Sequence, residues 1–265
     1  MHCSVYGPWR SSAVDTLTAC VLGCYTYFSS GSTVSECALC PGGSYSDVYG
    51  ATACPACGAG SFNPGSMPAP SCVLCAPGSF SGFGQSTCTP CVAGTYNSLN
   101  GSTSAVACTP CLAGSFNPSI GGTSPSACKS CAAGSFSGSG QSACTPCFAG
   151  SYSGSGQSAC TPCQTGTFNP SIGSTSSLAC FPCAAGSYSG SSGQSVCTPC
   201  PAGSYDPSIG STSSLACAPC TAGFLCLQQG LNQQLLCPSG HYCPSSVQNV
   251  PCPAGTFSSA TGAAQ

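Results

Sequence analysis

The sequence predicts a tandem array of small disulfide-rich repeats, an elongated rod of irregular short β-hairpin modules with almost no helix. Three observations carry that prediction. Cys makes up 29 of the 265 residues. A Cys-x-x-Cys pair recurs through most of the chain, and no segment sustains a helical period of apolar residues.

The chain holds 35 Gly and 23 Pro, and only 2 % of its residues are charged. Leu, Ile, Val and Phe are too sparse to fill a conventional core. Disordered chains with so little apolar volume usually carry high charge, and this one does not. A high Cys fraction points instead to cross-links that shrink the unfolded ensemble and replace core burial. Two cationic side chains provide no footprint for phosphates, so nucleic acid is not an expected partner. Disulfides persist in oxidising compartments, which places the chain outside the cell or on its surface. No secretory leader is visible at Met1-His2-Cys3-Ser4, so the chain reads as a fragment of a longer protein. No run of apolar residues is long enough to span a membrane.

Cys-x-x-Cys pairs run from Cys37/Cys40 to Cys217/Cys220 at steps of 16 to 20 residues. Gly stands three positions past the second Cys, as at Gly78, Gly94 and Gly134, and an aromatic stands five past it, as at Phe80, Tyr96 and Phe136. The Gly is expected to take a positive φ or to let two backbones approach. The aromatic is expected to lie over the disulfide and the next Pro as a miniature core. A polar loop follows in two lengths: a short form at 137–142 and 153–158, and a long form at 117–123 and 169–175. Asn-Pro and Gly-rich text of this kind is turn chemistry. Stacked repeats of this size are expected to touch only their neighbours. The domain plan is therefore degenerate repeats over 1–36, regular repeats over 37–220 and variant repeats over 221–265, the last one incomplete.

The cysteines admit two readings. Cys-x2-Cys…Cys-x2-Cys also suits structural zinc, which would make the chain an intracellular metal-binding array. Even steps and the near absence of charge favour disulfides. The two Cys of one pair would close a very tight ring, so the expected bond links the second Cys of one pair to the first of the next. That gives Cys40–Cys54, Cys57–Cys72, Cys75–Cys88, Cys91–Cys108, Cys111–Cys128, Cys131–Cys144, Cys147–Cys160, Cys163–Cys180, Cys183–Cys197 and Cys200–Cys217. Extended backwards, it gives Cys24–Cys37 and Cys3–Cys20. Spacing alone does not fix pairing, and it leaves Cys220, Cys226, Cys237, Cys243 and Cys252 unassigned.

Catalytic chemistry has little to work with. The four acidic residues are scattered, and His2 and His241 stand near opposite ends. His241, between Gly240 and Tyr242, reads as a solvated turn residue, and the lone Trp9 as terminal packing. No calcium loop or phosphate-binding loop is present, so the chain is expected to be no enzyme and to need no cofactor or metal. One glycosylation sequon occurs, Asn100-Gly101-Ser102, whereas Asn63, Asn117 and Asn169 are followed by Pro. Attached glycans are expected to hydrate a surface that charge does not.

The text Cys197-Thr-Pro-Cys-Pro-Ala-Gly-Ser-Tyr205, echoed at Cys252-Pro-Ala-Gly-Thr-Phe-Ser258, resembles the ephrin-receptor-like cysteine-rich repeat, within the broad growth-factor-receptor and TNF-receptor cysteine-rich class. The resemblance implies modules of irregular β structure stacked end to end, one disulfide each, in surface proteins, with no catalysis through the repeats. The expected role is that of an extracellular structural protein: a surface stalk, a coat component or a filament subunit. Its partners would be copies of itself or other extracellular matrix and surface proteins. The alternative is a receptor or adhesin ectodomain that binds a protein or a glycan.

Overall fold

The computed structural model describes residues 3, 5–6, 19–28, 35–257 and 261–263. Trp9 and His2 lie outside them. The described residues form two-stranded antiparallel hairpins in series, most of them with strands of two residues. Helix is confined there to single 3-10 turns at Ala105–Ala107, Pro125–Ala127, Ser177–Ala179 and Ser214–Ala216. Each of these turns sits in a repeat whose disulfide spans 17 residues. No helix among the described residues is long and apolar enough to cross a membrane.

The consensus text explains each hairpin. In Ala76-Pro77-Gly78-Ser79 the Ser79 amide donates to the Ala76 carbonyl at 3.2 Å, and Gly78 has φ +85°. A positive φ at the third position is what a type II turn requires, and only Gly adopts it without strain. The Ser79 hydroxyl donates to the same Ala76 carbonyl at 2.8 Å. Thr95 does so to Val92 at 2.7 Å and Ser151 to Phe148 at 2.8 Å. The hydroxyl residue after each Gly is therefore part of the turn. The chain then runs through the Ser-aromatic strand, loops out, and returns along Thr-Pro. Ser79 lies opposite Pro90 and Phe80 opposite Thr89. The ring closes as the Cys91 amide donates to the Gly78 carbonyl at 2.8 Å. Pro is tolerated because each strand lies at the edge of its own sheet.

The chain divides into two compact units, Met1–Lys129 with Gly138–Ala143, and Ser130–Ser137 with Cys144–Gln265. Within each unit successive repeats share backbone hydrogen bonds. Gly78 donates to the Asn97 carbonyl at 2.7 Å, Asn97 to the Gly122 carbonyl at 2.9 Å, and Gly121 to the Cys91 carbonyl at 2.7 Å. Contact also skips a repeat, which corrects the nearest-neighbour expectation. A Cβ at Gly94 would collide with the carbonyl oxygen of Gly140, two repeats further on, and one at Gly150 with that of Gly193. The Gly positions thus supply both the positive φ and the close approach.

Candidate functional site

The interior of each repeat is a sulfur atom and a polar side chain. The second Cys of each pair from Cys37/Cys40 to Cys197/Cys200 is buried, with Cys57, Cys75 and Cys131 wholly so. Its bonding partner, the first Cys of the next pair, is half-buried. Among the described residues Leu225 is the one large aliphatic side chain that is buried. The aromatics are half-buried rather than enclosed, each set across its hairpin. Phe168 and Phe181 face each other this way with ring centroids 6.2 Å apart.

The regular bonds run from Cys40–Cys54 to Cys200–Cys217, each from the second Cys of one pair to the first of the next. Two expected pairs are corrected. Cys3 bonds Cys24 rather than Cys20, and Cys37 bonds Cys20 rather than Cys24. Strand register is the reason. Cys37 lies opposite Thr26, and Cys20 lies opposite Val5, so neither expected pair stands face to face. The two bonds interleave along the chain instead of following one another.

The variant repeats use sulfur differently. Cys220 bonds Cys226, and Cys237 bonds Cys243, six residues on in each case. Cys226 and Cys243 each stand three residues past a Gly, where the regular repeats carry a polar residue. The Gly203 amide donates to the Cys226 carbonyl at 2.8 Å, as Gly78 does to Asn97. The backbone pattern is kept while the side chain changes from amide to sulfur. Cys252 is unpaired and half-buried, and its amide donates to the Gly240 carbonyl at 3.0 Å. His241 opens the strand His241–Ser245 rather than lying in a turn.

Sequence reasoning missed the polar row. The residue after each aromatic is buried: Asn63, Ser81, Asn97, Asn117, Ser153, Asn169 and Asp206 are all at most 2 % exposed. All of these side chains but that of Asp206 reach back to the preceding repeat. Asn97 Nδ2 donates to the Ser79 carbonyl at 3.1 Å and Asn117 Nδ2 to that of Thr95 at 2.9 Å. Ser153 Oγ donates to the Ser135 carbonyl at 3.0 Å and Asn169 Nδ2 to that of Ser151 at 2.9 Å. The Asn residues also accept, through Oδ1, an amide two positions on in their own loop, as Asn97 does from Leu99 at 3.0 Å. Buried polar groups of this kind are costly unless satisfied, and here nearly all are.

Asp206 is the exception. Its Oδ1 accepts from the Ser208 amide at 2.9 Å, but the buried Oδ2 has no partner. Asn97 donates at the equivalent position, to Ser79 and to Ser102 Oγ. A carboxylate offers no such donor.

Two surface features complete the picture. A shallow groove of about 340 Å³ runs beside Tyr96, between Pro110 and Pro125, and an equivalent one of about 250 Å³ lies beside Tyr152 and Pro162. At the exposed end of the hairpin Cys24–Phe28/Ser35–Leu39 the Tyr27 hydroxyl donates to Glu36 Oε2 at 2.7 Å. That hydrogen bond, with the carboxylate's charge, holds the Tyr27 phenol above its ordinary pKa.

Residues 78–128, 134–180 and 176–217 match the family described as tyrosine-protein kinase ephrin type A/B receptor-like, and together they span more than half of the chain. The chain belongs to the ephrin-receptor-like cysteine-rich repeat family. No curated protein matches the sequence. Each matched segment of this ephrin-receptor-like array takes in more than one Cys-x-x-Cys step, so the family unit is larger than a single hairpin. Disulfides in tandem together with ephrin-receptor-like repeats are the features of an extracellular domain.

Proposed function

We propose that this ephrin-receptor-like array is a structural element of an extracellular assembly: a surface stalk, a coat component or a filament subunit, with copies of itself or other matrix and surface proteins as partners. The observation that carries the reading is where the buried polar groups go. Asn97, Asn117, Ser153 and Asn169 each donate a hydrogen bond to the preceding repeat. The interior is thus committed to joining repeats. The Gly94–Gly140 and Gly150–Gly193 approaches resist bending between repeats, which suits a spacer.

The chain's surface supports association. Val106, Leu178 and Leu215 are each more than 80 % exposed, and two cationic and four acidic residues in the whole sequence offer little repulsion between copies. Electron microscopy of the purified protein tests the proposal: regular fibres or lateral arrays support it. Isolated particles that bind a cell surface favour the second reading, a receptor or adhesin ectodomain, for which the grooves beside Tyr96 and Tyr152 are the supporting observation. The intracellular zinc reading requires thiolates that the disulfides consume, and thiol counting with metal analysis tests it directly.

A further inference from the structure

We propose that Asn100 carries an N-linked glycan, and that it must be attached before the Cys91–Cys108 module closes. This rests on the extracellular reading. The asparagines of the regular repeats fall into two classes. Asn63, Asn97, Asn117 and Asn169 are buried in the polar row, at most 2 % exposed and hydrogen-bonded. Asn100 is exposed, at the tip of the turn that Gly101 completes with φ +65°. It is also the one Asn followed by the acceptor pattern, Asn100-Gly101-Ser102.

The fold places that turn over apolar surface. A Cβ at Gly101 would stand 3.2 Å from Leu74 Cδ2, and Leu74 and Leu99 are each 64 % exposed. A sugar on Asn100 Nδ2 leaves the molecule beside both side chains and hydrates a patch that no charge serves.

The order of events follows from Ser102. The acceptor motif needs its hydroxyl, yet in the folded repeat Ser102 is 7 % exposed and its Oγ accepts from the buried Asn97 Nδ2 at 2.9 Å. The backbone is pinned as well, because the Gly101 amide donates to the Cys75 carbonyl at 2.8 Å. The motif is therefore legible only in the open chain. In the transfer, Asn100 Nδ2 attacks the anomeric carbon of a glycosyl diphosphate donor. An N–C bond forms, the C–O bond to diphosphate breaks with its electron pair leaving on the diphosphate, and one amide proton is released.

The test uses the full chain secreted from eukaryotic cells. Peptide mapping of the wild-type protein should find sugar on Asn100, lost on endoglycosidase treatment and absent in Asn100→Gln. In a second arm, purified oligosaccharyltransferase with its lipid-linked donor should modify the reduced chain and fail on the oxidised one. A bare Asn100 in a secreted chain with its disulfides intact overturns the proposal. Equal modification of reduced and oxidised chain overturns the proposed order. Free thiols throughout the secreted protein would instead defeat the extracellular reading, whatever Asn100 carries.

Discussion

The Asn97 side-chain amide lies 3.1 Å from the carbonyl oxygen of Ser79, so two successive repeats are joined by a group that water does not reach. Replacing Asn97 by Ala strands that carbonyl and the Leu99 amide together. The expected loss is about 1–3 kcal/mol, the cost of leaving a buried polar group unsatisfied. Asn100→Ala, three residues on and exposed, should stay within about 0.5 kcal/mol. Chemical denaturation of the two variants side by side checks the contrast.

Asp206 stands in the same row with Oδ2 unpartnered. Asp206→Asn supplies a donor towards Ser187 and Ser211, the counterparts of Ser79 and Ser102. The variant should be more stable than the parent by about 1–2 kcal/mol. Thermal unfolding at neutral pH reads the shift, and an unchanged or lower midpoint would refute the assignment of a missing donor.

Gly94 has φ +87° and faces the carbonyl of Gly140. Gly94→Ala should cost about 1–3 kcal/mol from the backbone conformation alone, with the clash added to it. Gly154 has open space around its missing Cβ and no positive φ, so Gly154→Ala should be close to neutral. Secretion yield and unfolding midpoint of the pair measure how tightly alternate repeats are held.

The interleaved N-terminal bonds make a clean labelling experiment. With Cys20→Ser, the thiol released should be Cys37, and Cys3–Cys24 should survive. If the regular pattern extended backwards, the released thiol would be Cys3. Alkylation followed by peptide mapping distinguishes the two.

Tyr27 gives a pH signature. Its phenol is held above the ordinary 10.0 by the hydrogen bond to Glu36 and by that carboxylate's charge. The folded state favours the protonated phenol, so the stabilising contribution is present below pH 10.0 and fades as the pH climbs through the raised value. Glu36→Gln should return the Tyr27 titration towards its ordinary position, followed by NMR of the ring resonances.

The hairpins were legible in the sequence because what makes them is local. The turn from Ala76 to Ser79 and the ring closed by Cys75–Cys88 involve residues close in the chain, and Gly, Pro and Cys spacing marks them directly. The polar row was not legible for the opposite reason. Asn169, followed by Pro170, reads as turn chemistry, and its Oδ1 does cap its own loop. Its Nδ2, however, reaches a partner 18 residues away. A signal was nevertheless present. The residue after the aromatic is Ser81 or Ser153 where the disulfide spans 13 residues, and Asn97, Asn117, Asn169 or Asp206 where it spans 17. The longer loop takes a side chain whose Oδ1 caps it, and where that residue is Asn its Nδ2 also reaches back. Extrapolating the regular bonds failed at Cys20 and Cys24, whose spacing of four sets a different register. The recurring place of Gly94 in the repeat signals a close approach but not its partner, since Gly140 lies beyond an intervening repeat.

The position after the second Cys holds Val92, Leu112, Phe148 and Gln164 in successive or nearby repeats, yet the turn that follows is the same each time. The turn is held by backbone atoms and one hydroxyl, none of which depends on that side chain. The outward face is therefore an editable display: its chemistry can be rewritten repeat by repeat, including grafted recognition residues, while the frame beneath keeps its geometry.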